Sequence, residues 1–290
     1  MTSEEGGPDV TGRLADKVIV VTGGTRGLGR HMVQTFVDEG AHVTLIGRNA
    51  DDGNQVVAEL AGRLGSAHFA RGDISVEADV AGAFAAVAER WGRLDGVVAN
   101  ASGYQDNAPH DGLLSEMSLD GWNQIIASDL TGTFLTVKHA LQAMCAGNGG
   151  SVVTLASQHA IRGVNGAAGY SAAKGGVIAL THNVASYYAR YDIRCNCIAP
   201  GVTRTGGEYL EALLDHPVQG PPIWDVHLGR VGQPEDVSYA ATYLLADESR
   251  QVNGVILPVD GGAVSASHFR RPVAPDLPQY ERKRTRAPEF

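Results

Sequence analysis

Tyr170 and Lys174 stand four residues apart in the stretch Tyr170-Ser-Ala-Ala-Lys174. On a helix, which the alanines favour, that spacing places a phenol and an ammonium on one face, one turn apart. Tyrosine is a poor acid or base near neutrality because its reference pKa is about 10. A neighbouring cation favours the phenolate and lowers that value. A drop of roughly two units takes about 2.7 kcal/mol, which the ammonium and a second positive charge can supply together. Thirteen residues upstream, Ser157 follows the apolar run Ser151-Val-Val-Thr-Leu-Ala156, read as a buried strand. A hydroxyl at a strand's end can hydrogen-bond a substrate oxygen while the tyrosine exchanges a proton with it. Ser157, Tyr170 and Lys174 therefore form a candidate proton-transfer site. Taken alone, Tyr-x-x-x-Lys also describes a packed ring beside a solvated charge, so the surrounding elements must decide.

Those elements begin with Lys17-Val-Ile-Val-Val21, a β-branched run that reads as a central parallel strand. It leads into Thr22-Gly-Gly-Thr-Arg-Gly-Leu-Gly29, and a helix follows from about Gly27 to Glu39, stopped by Gly40. A glycine-rich turn between strand and helix lets a diphosphate approach the backbone and sit on the helix N-terminal N–H groups. Gly23, Gly27 and Gly29 are spaced G-x-x-x-G-x-G, with Thr25, Arg26 and Leu28 between them, rather than as the G-x-G-x-x-G of other dinucleotide folds. A second strand, His42 to Ile46, ends at Gly47-Arg48-Asn49. An acid there would bond the adenosine ribose hydroxyls, and Gly47 offers none. Arg48 and Arg26 instead suit a 2′-phosphate through guanidinium geometry, which favours NADP(H) over NAD(H).

The alternation continues. A helix is read over Ala50–Leu64, a strand over His68–Ala70 running to Asp73-Ile74, and a helix striped with Val76, Val80, Phe84, Val87 and Trp91. The strand Gly96–Ala99 ends in Asn100-Ala-Ser-Gly103, and a polar loop to Ser118 precedes one long helix from about Asp120 to Ala146. The helix of Tyr170 runs to about Tyr191, and the strand Arg194–Ile198 ends in Ala199-Pro-Gly201. A last helix, Glu235–Ala246, and a last strand, Val255–Val259, close the pattern. Such regular alternation means an α/β fold with a Rossmann-type doubly wound parallel sheet in a single domain, over residues 13–263. Ligands of such sheets bind at the carboxyl ends of the strands, where the polar and glycine-rich motifs fall. Residues 202–231 break the pattern with Pro217, Pro221 and Pro222, and read as a substrate lid walled by Tyr209, Trp224 and His227, or as an oligomer contact. Residues 1–12 read as a flexible arm, and 264–290 as a proline-containing tail with six basic and three acidic residues.

With 290 residues and 43% hydrophobic content, the chain can bury a sizeable core. Its 23 basic and 32 acidic residues leave a net charge of −9, which argues against nucleic-acid or anionic-membrane partners. Cys145, Cys195 and Cys197 read as free thiols without companion ligands, so no metal site is expected. An acidic N-terminus without an apolar segment, and no run of 18 apolar residues, point to a soluble cytoplasmic protein.

In this order, Thr22 to Gly29, Asp73, Asn100-Ala101, Ser157, Tyr170-x-x-x-Lys174 and Pro200-Gly201 resemble the motifs of the short-chain dehydrogenase/reductase family over about Arg13 to Gly262. The resemblance implies a homo-oligomer, dimer or tetramer, that moves a hydride between a nicotinamide cofactor and a small-molecule carbonyl/alcohol pair. It makes Tyr170 the general acid/base and Ser157 the residue that orients the substrate oxygen. Lys174 would lower the Tyr170 pKa and hold the nicotinamide ribose. Asp73, with Ile74 beside it, would meet the adenine, Asn100 would line the cofactor cleft, and Gly201, Val202 and Thr203 would contact the nicotinamide end. Two positions depart from the family pattern. Ser102 stands where glycine is common, and Asp129 stands where the family has a catalytic asparagine whose main-chain carbonyl holds a relay water. A carboxylate near Lys174 would oppose the phenolate and shift optimal oxidation to higher pH. The substrate wall would come from residues 104–111, Gln158, His159, Arg162 and the lid. Two other readings stay open: a silent cofactor-binding regulator or scaffold, and an atypical dehydratase or epimerase of the same fold.

Overall fold

The computed structural model describes residues 12–107, 110–163, 166–206, 228 and 230–265. The arm, Tyr209, Trp224, His227 and nearly all of the tail lie outside them. Among the described residues, seven parallel strands form one sheet in the order β3-β2-β1-β4-β5-β6-β7. The strands are β1 (Val18–Thr22), β2 (His42–Gly47), β3 (Ser66–Arg71), β4 (Gly96–Ala99), β5 (Gly150–Leu155), β6 (Ile193–Pro200) and β7 (Ile256–Val259). The helices are α1 (Gly27–Asp38), α2 (Ala50–Glu59), α3 (Glu77–Trp91), α4 (Tyr104–Asn107), α5 (Leu119–Ile126), α6 (Gly132–Ala146), α7 (Ala168–Tyr188) and α8 (Pro234–Leu245).

The buried run Val18-Ile-Val-Val21 sorts its side chains by period two, as a strand covered on both faces must. Ile19 and Val21 pack with Met32, Val33 and Phe36 of α1 and Val237, Ala241 and Leu244 of α8 on one face. Val18 and Val20 pack with Val80, Phe84 and Val87 of α3 and Val137, Leu141 and Met144 of α6 on the other. Each such fully buried side chain contributes roughly 1.5–3 kcal/mol, so the sheet is a rigid platform for what its ends carry. The strand order reverses between β1 and β4, and that switch point opens the crevice where an open α/β sheet binds ligands.

Several elements differ from the expectation. The stretch expected as a polar loop to Ser118 opens with the short helix α4. The helix expected to reach Leu64 ends at Glu59, and Gly62, at φ +80°, turns the chain toward β3. The long helix expected over 120–146 is two helices joined by a π turn, Ala127–Thr131, in which the Gly132 N–H reaches back to the Ala127 carbonyl. An inserted residue of this kind re-aims the side chains around it, and here the turn carries Asp129.

Candidate active site

The glycine loop leaves β1 with Gly23 and Gly27 in the left-handed region, at φ +67° and +54°. A Cβ on Gly29 would lie 2.1 Å from the Gly23 carbonyl oxygen and 2.6 Å from Asn100 Nδ2, so only glycine fits. The Asn100 amide ties the loop to β4 by donating to the Thr22 and Gly23 carbonyls at 2.9 and 3.3 Å. Arg26 at the α1 N-cap makes no side-chain capping bond, and no acid lies in the first turn, so the N–H groups of Gly27, Leu28 and Gly29 face an anion-ready cradle. These features fit a dinucleotide diphosphate.

At the end of β2, a Cβ on Gly47 would come within 2.7 Å of Thr25 Cγ2, so Thr25 fills the space that an acidic side chain would need. Arg48 and Arg26, both more than half exposed, share one acidic partner beside it. Arg48 Nη2 donates to Asp106 Oδ2 at 2.7 Å, and Arg26 Nη2 lies 3.9 Å from the same oxygen. Past β3, Asp73 Oδ1 accepts from the Ser75 N–H and hydroxyl. Burial pushes the Asp73 carboxyl up, but those bonds and the Arg48 charge outweigh it and hold the group below its ordinary value. Ile74 packs over Gly132, where a Cβ would meet its side chain at 2.4 Å. At the end of β6, Gly201 donates to the Val259 carbonyl, Gly232 donates to that of Val202, and the buried Thr203 hydroxyl donates to the Gly201 carbonyl. The expected cofactor-contacting residues thus lie along the carboxyl edge of the sheet.

The structure brings Ser157, Tyr170, Lys174 and Asp129 together. Ser157 caps the short turn Gln158–Ala160, its oxygen accepting the His159 N–H at 3.2 Å, and it hydrogen-bonds Tyr170. Lys174, only 2% exposed, donates from Nζ to the Leu155 carbonyl at 3.1 Å and lies 5.5 Å from the Tyr170 ring centroid. Asp129 is fully buried, and its Oδ1 lies 3.5 Å from that Nζ. Its main-chain carbonyl, the atom of interest for a relay water, accepts the Thr133 hydroxyl at 3.0 Å.

One expectation is reversed. Tyr170 sits above the ordinary phenol pKa, first through burial and second through the Asp129 charge, with the Ser157 hydrogen bond opposing both. The ammonium does not depress the phenol because Asp129 lies beside it in the same buried pocket. The two departures from the family pattern also touch: the Ser102 hydroxyl donates to Asp129 Oδ1, while Ser128 Oγ and the Gly103 N–H donate to Oδ2 at 2.7 and 3.2 Å.

Asp111, expected only as substrate wall, has a further place. The N-cap of α7, Ala167, has no side chain able to cap, and Asp111 supplies both oxygens instead. They accept the Gly169 N–H at 3.0 Å and the Tyr170 N–H at 2.9 Å, so the helix of Tyr170 begins on a carboxylate from a segment 58 and 59 residues earlier. A helix opening on Ala-Ala-Gly with no local cap was the signal available in the sequence. Gln158 is buried with its Oε1 lacking a hydrogen-bond partner, and the His159 ring meets Tyr170 edge-on at 5.7 Å. Both belong to the expected substrate wall.

A family model described as enoyl-(acyl carrier protein) reductase matches residues 23–264. The chain is 35% identical over 254 residues to the 3-oxoacyl-(acyl-carrier-protein) reductase of Chlamydia pneumoniae, covering 88% of this chain and 98% of that protein. It is 36% identical over 249 residues to the cis-4-hydroxycyclohexanecarboxylate dehydrogenase of Sinomonas cyclohexanicum, covering 86% and 97%. Among solved structures, a short-chain type dehydrogenase/reductase from Mycobacterium ulcerans superposes with a TM-score of 0.82 at 30% identity, covering 87% of this chain and 91% of that one.

Proposed function

Because the chain belongs to the short-chain dehydrogenase/reductase family and is an oxidoreductase of carbonyl/alcohol pairs that uses NAD(P)(H), we propose that its substrate is a cyclic secondary alcohol or the matching ketone, its cofactor NADP(H), and its general acid/base Tyr170. The single observation that carries this reading is the constellation of Tyr170 on Ser157 with the buried Lys174 beneath the ring.

In the reductive direction the Tyr170 hydroxyl donates its proton to the carbonyl oxygen, and the Ser157 hydroxyl meets the negative charge developing there. When bound, the nicotinamide supplies the hydride for reduction or accepts it in oxidation. A phenol held above its ordinary pKa is protonated near neutrality, which suits reduction. Lys174 holds the nicotinamide ribose, and Asp129 holds Lys174 through its carboxylate and a relay water through its carbonyl. Gly23, Thr25, Gly27, Leu28 and Gly29 cradle the diphosphate. Arg26 and Arg48 take the 2′-phosphate, Asp73 and Ile74 the adenine, Asn100 the cleft wall, and Gly201, Val202 and Thr203 the nicotinamide end.

The cyclic-substrate part rests on the Sinomonas relative's named substrate and on a wall that holds a buried amide with a free acceptor. Residues 13–263 form the catalytic unit in this reading, with 202–231 as its lid, 1–12 as an arm and 264–290 as a tail. A homotetramer or dimer in the cytoplasm completes it. An apolar groove of about 400 Å³ between α6 and α7, lined by Phe134, Val137, Leu141, Leu180 and Tyr188, supports self-association. Among the described residues no helix is long and apolar enough to cross a membrane.

The test is Tyr170→Phe, assayed with hydroxylated cyclohexanes and their ketones while cofactor binding is followed by fluorescence. Turnover falling at least about a thousandfold, with cofactor affinity within about twofold, is the expected result. Turnover persisting in the phenylalanine variant would remove Tyr170 from its role.

A further inference from the structure

Asp106 reaches the two arginines from the far side of the switch point. It lies on α4, the short helix that follows β4, whereas Arg48 follows β2 and Arg26 sits in the loop after β1. One oxygen, Oδ2, serves both guanidinium groups, at 2.7 Å from Arg48 Nη2 and 3.9 Å from Arg26 Nη2. A single anionic oxygen between two guanidinium groups is what a 2′-phosphate oxygen would provide. The inner end of α4 is tied elsewhere: Asn107 donates its N–H to the Gly103 carbonyl at 2.8 Å and its Nδ2 to Ser128 Oγ at 3.0 Å. Asp106 is thus presented from a turn anchored on the catalytic side.

We propose that Asp106 is a cofactor-selectivity residue, a built-in countercharge that occupies the 2′-phosphate seat and that NADP(H) must displace while NAD(H) need not. The inference rests on the reading that Arg26 and Arg48 hold the phosphate. All three side chains are about half exposed, at 59%, 62% and 47% for Arg26, Arg48 and Asp106, so water screens the pair and it opens readily. A phosphate, with more charge and more acceptor oxygens than one carboxylate, wins the two guanidinium groups. The carboxylate therefore lowers NADP(H) affinity without abolishing it. Gly47, with Thr25 in the space beside it, leaves the end of β2 without an acid of its own, so Asp106 is the carboxylate placed on Arg48 there.

The experiment is fluorescence titration of the full-length protein, its Asp106→Asn variant and its Arg48→Ala variant with NADPH and with NADH at low and high salt. Asp106→Asn is expected to tighten NADPH about three- to tenfold, an effect that shrinks at high salt, and to change NADH by less than about twofold. Equal changes for both cofactors, or none for either, would overturn the inference. Weaker NADH binding would also overturn it, because the carboxylate would then be a ribose acceptor. Arg48→Ala separates the two levels. NADPH loosened by Arg48→Ala yet unmoved by Asp106→Asn removes this inference alone. NADPH unmoved by Arg48→Ala removes the phosphate reading and the inference with it.

Discussion

Replacing Asp129 by asparagine exchanges a fully buried carboxylate for an amide of the same shape and leaves the main-chain carbonyl in place. The Lys174 ammonium, now without the charge 3.5 Å away, remains 5.5 Å from the centre of the Tyr170 ring. At an effective dielectric of about 20, an uncompensated cation at that range stabilises a phenolate by about 3 kcal/mol, equivalent to about two pKa units. Partial exposure of Tyr170 trims this, so the phenol should fall by about one to two units. The sign follows from the chemistry. Alcohol oxidation needs the phenolate, so its rate climbs with pH to the Tyr170 pKa, and lowering that pKa moves the climb to lower pH. Ketone reduction needs the phenol, so its falling limb moves the same way. Phenolate absorbance, titrated as wild type minus Tyr170→Phe and as Asp129→Asn minus the double variant, reads the shift without a substrate. The pH dependence of alcohol oxidation, followed at the NADPH band, reads it in turnover. An apparent pKa that stays within about 0.3 units, or rises, would refute the electrostatic account.

Removing the remote cap with Asp111→Ala should lower the melting temperature by about 2–4 °C and kcat by about tenfold, since two helix N–H groups lose their acceptor. Asp111→Asn should recover part of both, and calorimetry with steady-state kinetics checks the order. Gly29→Ala should weaken cofactor binding at least about a hundredfold in a fluorescence titration, because the added methyl group would meet the Gly23 carbonyl 2.1 Å away. If the α6/α7 groove is a subunit contact, Phe134→Glu, at a side chain 45% exposed, should shift the protein toward monomers in sedimentation velocity.

Much of this was legible in the residues because the physics that fixes it is local. The strand Gly96–Ala99 is read to the residue, and β1 within one, since short apolar runs flanked by turn residues leave a parallel strand few alternatives. The positions of Ser157, Tyr170 and Lys174 followed from a strand end and a four-residue spacing. Illegible were features set by pairing between distant segments. Nothing near Asp129 announces that Ser102, 27 positions earlier, bonds it, or that Asp111 caps α7. The π turn escaped because one residue inserted into a helix leaves the apolar pattern on either side nearly intact. The Tyr170 shift took the opposite sign because burial, which no local residue pattern announces, is its largest cause, and the Asp129 charge adds to it as expected.

The crowding around the glycine loop bears on how such a protein can diversify. Gly23, Gly29, Asn100 and Ala101 interlock so closely that one added methyl group at Gly23 would come within 2.9 Å of Ala101 and one at Gly29 within 2.6 Å of Asn100. No single substitution at those glycines enlarges a side chain without moving a second segment, so the loop resists gradual drift. The exposed arginines and the aspartate that spans them carry no such interlock, at roughly half exposure each. If Arg26, Arg48 and Asp106 set cofactor preference as proposed, heritable change in that preference has an open route through a few surface charges, while the proposed diphosphate cradle stays frozen.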